Sequence, residues 1–539
     1  MTPSRWRFEF TMTRYLTRFL CLFCIALTAR AALDPALLKP LAADDADKRI
    51  AAIQKLGATA NPEAALVLKA LNEDNLYVAS GRLYRLDGER AFDAASGDEI
   101  KPAPDNGEGI TINNRVRGEV ANALAALKLF DPDPAVRLAS AMELQSGVTP
   151  EMAPLLARAL EKESEARIKA LLTLAHAEAT LGDKDTAVRL AAVQALGASA
   201  NPNTRNLLTP LTDAANEPAE QVRRAAYASL SAVESRLALG ENVGRVFTGI
   251  SLGSILLLAA LGLAITYGVM GVINMAHGEL LMVGAYATYL VQTFFRNHLP
   301  AQVDWYLPAA IPVAFFSAAL VGVVLERTVI RWLYGRPLET LLATWGLSLI
   351  LIQAARVLFG AQNVELANPS WMSGGIELLP GMVLPLNRIF IIGFSLFVLS
   401  LVWVLMNKTR LGMFVRAVTQ NRAMAGCVGV PTSRIDTLAF ALGAGIAGLG
   451  GVALSQIANV GPDMGQGYIV DSFMVVVLGG VGQLAGAVWA ALGLGVVSKF
   501  LEGWVGAVIA KIAVLVFIIV FIQKRPQGLF AFKGRFVEN

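Results

Sequence analysis

Two ionisable side chains, His277 and Glu279, sit almost side by side in the apolar run INMAHGELLMVGAY, with Asn274 three residues before the histidine. Ionisable groups at membrane depth are costly, so they face a protein interior or a water-filled route. That leaves two readings open: a polar lining for a solute route, or a structural pair holding a bent helix. A zinc-protease reading needs H-E-x-x-H, which His277-Gly278-Glu279 does not supply. No Cys/His cluster has metal-ligand spacing. Further polar residues fall in or at the ends of glycine-rich apolar segments: Gln456, Asn459 and Asp471. Together with Asn274, His277 and Glu279 they are the candidates for a translocation path. A neutral small solute suits a route of amide and carbonyl hydrogen bonds better than a ring of charges. No credible nucleophile–base or metal set stands out, so no catalytic residue, metal or cofactor is expected.

The run Gly479-Gly480-Val481-Gly482-Gln483-Leu484-Ala485-Gly486 has the glycine density of a nucleotide loop. A phosphate-cradling loop ends in Gly-Lys, however, and the chain contains no Gly-Lys dipeptide. Any ATP-derived energy must come from another subunit.

These residues need a membrane to sit in, and the composition provides one. The 539-residue chain is 55% hydrophobic and only 16% charged, against roughly a quarter charged in soluble domains. Charged residues are dense as far as Glu241 and sparse beyond it. The expected division is a signal peptide over 1–31, an exported domain over 32–243 and a membrane domain over 244–539. The net charge of +4 reflects basic segments flanking membrane helices, and no nucleic-acid partner is expected.

In the membrane domain, apolar segments run over 246–269, 272–293, 307–325, 341–359, 389–406, 435–458, 469–481, 484–501 and 505–522. Most approach the roughly 20 residues that cross a hydrocarbon core as a helix. Three basic clusters interrupt them: Arg327, Arg331 and Arg336; Lys408, Arg410, Arg416, Arg422 and Arg434; Lys524, Arg525, Lys533 and Arg535. Nine crossings that start outside and end inside put all three clusters on the cytoplasmic face. The many glycines, Gly443, Gly445, Gly448, Gly450 and Gly451 among them, suit close helix packing.

The N-terminus agrees with that orientation. Arg5, Arg7, Arg14 and Arg18 precede an apolar stretch over 19–27 and then Ala29-Arg30-Ala31. This is a basic, apolar, small-residue order of the secretory kind, with cleavage expected after Ala31 or, alternatively, retention as an anchor. Cleavage leaves Cys427 as the sole cysteine, so no disulfide braces the exported part. After it, acidic turns lead repeatedly into amphipathic helices: Asp44-Asp45 before IAAIQKLGA, Asp131-Pro132-Asp133-Pro134 before AVRLASAMEL, Asp183-Lys184-Asp185 before AVRLAAVQALGA, and Glu220-Gln221 before VRRAAYASL. The pattern resembles HEAT-type repeats, whose helix pairs bury their apolar faces only by stacking on neighbours. Over about 77–114 the pattern changes, and LYRL-DG-ERAF places Asp87-Gly88 at a β-hairpin turn.

Between two expected membrane helices on the cytoplasmic side lies Ala423-Met424-Ala425-Gly426-Cys427-Val428-Gly429-Val430-Pro431. Its spacing resembles the E-A-A-x-x-x-G loop of ABC permeases, with Ala423 in place of Glu and Met424 in place of Ala. Arg422, Ala423, Met424, Ala425, Gly429 and Pro431 are its candidate ATPase-coupling residues, in a short helix suited to a groove on an ATPase. INMAHGELLMVGAY, this loop, VVVLGGVGQLAGA and the terminal RPQGLF resemble the branched-chain amino-acid permease group of ABC importers over essentially 244–532. NVGPDMGQGYIVDSFMVVVLGGVGQLAGA, KIAVLVFIIVFIQKRPQGLFAFKGR and the long repeat-bearing extension resemble the urea-permease branch of that group.

The resemblance implies an all-α fold, a polytopic permease preceded by a helical HEAT-like domain with a small β insertion. It also implies a second permease subunit, two ATP-binding subunits, a periplasmic solute-binding protein and a place in the bacterial inner membrane. Urea import leads on this reading. Import of branched-chain amino acids or short amides is the alternative, and a membrane-anchored repeat scaffold or sensor is the alternative of another class.

Overall fold

A computed structural model describes residues 33–530 apart from positions 44, 60, 80, 89, 103, 105, 106, 380, 381 and 527. The signal segment expected over 1–31, Asp44 of the first acidic turn, and Lys533 and Arg535 of the last basic cluster lie outside the described residues. The chain divides into two units, Met1–Leu237 and Ala238–Asn539, a boundary six residues before the one read from composition.

In the first unit, helices start where the sequence supplies a side-chain acceptor for an orphan backbone N–H. Asp45 caps α1 (Ala46–Gly57), Asn61 caps α2 (Pro62–Asn72) and Asn113 caps α3 (Asn114–Lys128). Asp133 caps α4 (Pro134–Glu143), which is followed by α5 (Ala153–Lys162) and α6 (Ala166–Ala179). Asp185 caps α7 (Thr186–Leu196) and Asn201 caps α8 (Pro202–Leu208). Proline at the first helical position, as at Pro134 and Pro202, has no N–H to leave unsatisfied.

An arginine strut recurs between successive helical pairs. Arg137 of α4 donates through Nε and Nη2 to Glu163 at 2.8 and 3.1 Å, and through Nη1 to the carbonyls of Asp131 and Pro132. Arg189 of α7 repeats this with Glu217 at 2.8 Å twice and with the carbonyls of Asp183 and Lys184. Both glutamates are buried. The Arg137 guanidinium holds the Glu163 carboxyl down at about 2, and Arg189 lowers that of Glu217 in the same way. Such bidentate pairs fix register as well as energy.

Between α2 and α3 runs an antiparallel sheet of β1 (Leu76–Ala79), β2 (Arg82–Asp87), β3 (Arg90–Asp93), β4 (Glu99–Ile100) and β5 (Glu108–Gly109), in the order β4-β3-β2-β1-β5. The β2–β3 pairing closes at Asp87 opposite Arg90, with Gly88 at φ 62° in the turn, a left-handed conformation that glycine adopts freely. Leu76, Leu83 and Ile110 join α1, α2 and α3 in one apolar core.

The second unit is helical. Its helices are α9 (Glu220–Met270), whose N-terminal part belongs to the first unit, α10 (His277–His298), α11 (Tyr306–Thr328), α12 (Pro337–Phe359), α13 (Leu386–Lys408), α14 (Arg410–Gln420), α15 (Arg422–Cys427), α16 (Thr432–Ser455), α17 (Met464–Gly479), α18 (Leu484–Val505) and α19 (Ala507–Lys524). A hairpin of β6 (Gly375–Leu379) and β7 (Met382–Pro385) joins α12 to α13. Each of the nine apolar segments coincides with one of the longer helices. Among the described residues, seven helical stretches are long and apolar enough to cross a membrane. The other two are α10, which carries His277 and Glu279, and α17, whose 16 residues extend only about 24 Å at 1.5 Å per residue.

Two segments that carry polar candidates differ from the sequence expectation. The segment read as starting at 272 is irregular over 271–276 and becomes helical only at His277; Gly271 takes φ 65° and ends α9. The segment read over 469–481 begins earlier, at Met464, and stops at Gly479.

Helix α16 lies at the centre of the bundle, buried along nearly its whole length. Glycines bring its neighbours to backbone contact. A methyl group on Gly443 would strike the Gly262 carbonyl and the Thr266 side chain, and one on Gly448 would strike the Ala314 carbonyl. This is small-residue packing, which gains dispersion where the lipid supplies no hydrophobic drive. By contrast α12, α13 and α19 present large exposed apolar side chains, such as Ile350, Phe397 and Phe517, a surface suited to lipid or to a partner helix.

Candidate functional site

The irregular 271–276 segment is held from α12. Thr344 Oγ1 accepts from Met275 N at 3.1 Å and lies 3.4 Å from the Ile273 carbonyl. Asn274 folds back to accept from Ala276 N at 3.0 Å. His277 then opens α10 with its ring buried, Nε2 lying 3.0 Å from the Ala259 carbonyl of α9. Two residues on, Glu279 Oε1 accepts from Ser348 Oγ of α12 at 2.8 Å. Its other oxygen faces the first turn of α17, where a methyl on Gly465 would lie 2.9 Å from Oε2. Asn274 Nδ2, His277 Nδ1 and Glu279 Oε2 are buried without a hydrogen-bond partner among the described residues. Unpartnered polar atoms in a low-dielectric interior are costly and call for a function or a second conformation.

The six path candidates do not form one constellation. Asn274, His277 and Glu279 make one group. Gln456 makes a second: it is buried at the end of α16, where its Oε1 accepts from Tyr306 Oη at 3.1 Å and its carbonyl accepts from Asn387 Nδ2 at 3.2 Å. Asn459 is exposed in the following loop, beside the isolated bridge between Val364 and Val460. Asp471 belongs to a third group, paired with Lys511 of α19 at 3.2 Å in a cavity of about 190 Å³ shared with Ser498 and Glu502 of α18.

Near the basic clusters, a larger cavity of about 450 Å³ is lined by Gly482 and Gln483 of the glycine run together with Asn407, Arg416, Thr419 and Gln420. Its floor is the turn between α17 and α18, where Gly480 and Gly482 take φ 98° and 76°.

The candidate coupling residues build a short helix with two unlike faces. Asn421 Oδ1 caps α15 through Met424 N at 2.9 Å. Ala425 turns inward and is buried, while Met424 and Val428 are 61% and 72% exposed; Ala423 is exposed as well. Gly429, at φ 87°, ends the turn, and Pro431 leads into α16. The Arg422 side chain is 43% exposed, but its charge is paired within the bundle. Its guanidinium grips Asp436 of α16 through Nη1 and Nη2 and stacks on the Tyr334 ring at 4.9 Å.

Sequence reasoning passed over Ser348, Thr344, Tyr306, Lys511 and Asp436. Asp436 and Lys511 carried a signal, a charge inside an apolar segment. Ser348, Thr344 and Tyr306 carried none, being ordinary residues of membrane helices. The spelling G-x-S-x-G does occur at Gly249-Ile250-Ser251-Leu252-Gly253. It lies within α9 with Ser251 fully buried, without the strand-to-helix turn that exposes a nucleophile. No group of three or more His, Cys, Asp or Glu residues placed to hold a metal occurs among the described residues.

A bundle of apolar helices with a broken, polar-bearing segment at its heart and a two-faced helix at one end is the architecture of a multi-pass membrane permease. Residues 245–523, more than half of the chain, match the family described as branched-chain amino acid transport system / permease component, and the chain belongs to that family. It is therefore a transport subunit rather than an enzyme. The high-affinity branched-chain amino acid transport system permease protein LivH of Salmonella typhimurium is 28% identical over 53% of this chain and 94% of its own. BraD of Pseudomonas aeruginosa, of the same description, is also 28% identical with the same coverage. A probable branched-chain amino acid transport permease protein, LivH of Methanocaldococcus jannaschii, is 23% identical over 51% of this chain and 88% of its own. No solved structure matches the chain.

Proposed function

We propose that the chain is the membrane-spanning permease subunit of an ATP-driven importer in the bacterial inner membrane. It would act with a second permease, two ATP-binding subunits and a periplasmic solute-binding protein. The observation that carries this reading is α15: a short helix beside the basic clusters, its Ala425 side anchored in the bundle and Met424 and Val428 left bare. An exposed apolar helix face fits a hydrophobic groove on a partner, and a chain without a Gly-Lys phosphate loop takes that groove from a separate ATPase. The basic clusters at the ends of α11, α13 and α19 support a cytoplasmic α15 and an external 32–243 region. Alternating access then changes the packing around the 271–276 break, where polar groups now buried gain a passing solute as partner.

The relatives' names favour a branched-chain amino acid as solute. A second reading, urea, is favoured by one feature of this chain. The family match spans 245–523 and leaves out the repeat-bearing extension, which resembles that of the urea-permease branch. Competition for uptake by the complete complex decides between the two. Accumulation of labelled leucine, unaffected by excess urea, establishes the first; ATP-dependent urea accumulation that leucine does not inhibit establishes the second.

The docking assignment has its own test. Met424→Glu with Val428→Glu is expected to abolish co-purification of the ATP-binding subunits. If they co-purify as before, α15 is not their docking helix.

A further inference from the structure

Arg422 lies at the root of α15, yet its charge is directed into the bundle. Both arms of the guanidinium meet Asp436, whose side chain is wholly buried, and its plane rests on Tyr334. Tyr334 Oη donates in turn to Glu326 Oε1 of α11 at 3.2 Å, and Glu326 Oε2 accepts from Thr437 Oγ1 of α16 at 2.8 Å. Arg331 Nη2 closes the ring to Ser433 Oγ at 2.6 Å. Four segments are thereby tied together: α15, the first two turns of α16, the end of α11, and the 330–336 connection to α12. Glu326 and Asp436 are both buried acids, and the Arg422 guanidinium is the cation held between Asp436 and the Tyr334 ring.

We propose that Arg422 and Asp436 form the strut that passes displacement of α15 into α16, with Tyr334 and Glu326 carrying it to α11. A bidentate guanidinium–carboxylate pair resists rotation as well as separation, and stacking on a ring fixes the guanidinium plane. An α-helix pushed near its N-terminus moves as a rigid rod. The far half of α16 is the stretch in backbone contact with α10 just past His277 and Glu279: a methyl on Gly451 would lie 2.8 Å from Ala285 N. The strut therefore joins the ATPase-facing helix to the broken segment through one continuous element. Arg422, Asp436 and Tyr334 are positioning residues in this arrangement. The inference rests on the reading of α15 as the docking helix.

The test uses the complete complex in proteoliposomes, measuring ATP hydrolysis, solute uptake and ATPase-subunit content together. Asp436→Asn is expected to retain the ATPase subunits, to keep ATP hydrolysis within about twofold and to lower uptake per ATP at least tenfold. Tyr334→Leu, which leaves the ion pair in place, is expected to lower uptake per ATP about threefold. The Arg422→Gln/Asp436→Asn double variant is expected to be no worse than Asp436→Asn, because the two residues act as one unit. Unchanged uptake per ATP in Asp436→Asn overturns the proposal, and so does loss of the ATPase subunits from that variant, which marks a docking contact. If Asp436→Asn fails to accumulate in the membrane, Tyr334→Leu decides: an unchanged ratio overturns the strut. Continued ATPase-subunit binding by Met424→Glu/Val428→Glu refutes the docking reading instead, whatever the strut variants do.

Discussion

Ser348 Oγ donates to Glu279 Oε1 at 2.8 Å, joining α12 to α10 at a point where both side chains are buried in apolar helices. Glu279 has no other side-chain donor among the described residues, and its second oxygen is unpartnered. Ser348→Ala removes that donor and should destabilise the bundle by about 1–2 kcal/mol, the cost of a buried group left unsatisfied. Thermal unfolding of the detergent-solubilised chain measures it. With Glu279→Leu already present, the further effect of Ser348→Ala should fall to a few tenths of a kcal/mol.

The Lys511–Asp471 pair gives a second cycle. Lys511→Met strands Asp471 half-buried in its cavity, whereas Lys511→Met with Asp471→Leu removes both charges. The single variant should be the less stable of the two, since breaking such a pair costs more than replacing it. A double variant less stable than Lys511→Met would show that Asp471 is not stranded by the loss of Lys511.

Gly262 and Gly443 touch backbone to backbone. Gly443→Val has no space to enter and should cost about 1–3 kcal/mol by overpacking, read as reduced accumulation of the folded permease in membranes. Gly346→Val on α12, where a methyl group meets nothing within 4 Å, is the control and should accumulate normally.

In the first unit, pH supplies a handle. Glu163 is held at about 2 by Arg137, below the roughly 4.3 of an unperturbed glutamate. A lowered carboxylate value adds stability that is full above the unfolded value and drains as pH falls through the folded one. Hydrogen-exchange protection of α4 and α6 in the full chain, corrected for intrinsic rates, should therefore decline between about pH 4.5 and 2. Glu217 adds to the decline in the same direction. Glu163→Gln should lower protection at pH 7 and flatten part of that decline.

The nine apolar segments were legible because hydropathy over some twenty residues is a strong signal and tertiary context seldom overrides it. Helix ends were less so. Ile273, Met275 and Ala276 are apolar, so nothing in hydropathy shows that Gly271 turns the backbone out of the helix there. Gly465, Gln466 and Gly467 in the same way hid the first turn of α17. Grouping was the least legible of all. Polarity picked out His277, Glu279 and Asp471 alike, but the partner of each is remote in sequence: Ser348 for Glu279, Ala259 for His277, Lys511 for Asp471. Arg422 shows the same limit. Beside a small-residue helix it reads as an outward contact, and only the fold brings Asp436 and Tyr334 against it.

Transport driven by a partner ATPase is what the proposed complex must show. The direct measurement is solute accumulation in proteoliposomes holding the chain, the second permease, both ATP-binding subunits and the solute-binding protein, with labelled leucine and labelled urea assayed side by side. Accumulation of one of them is expected only when ATP and the binding protein are both present, and is expected to be lost with Met424→Glu/Val428→Glu. Accumulation of neither by a fully assembled complex, or accumulation that persists without ATP, would contradict the proposed function.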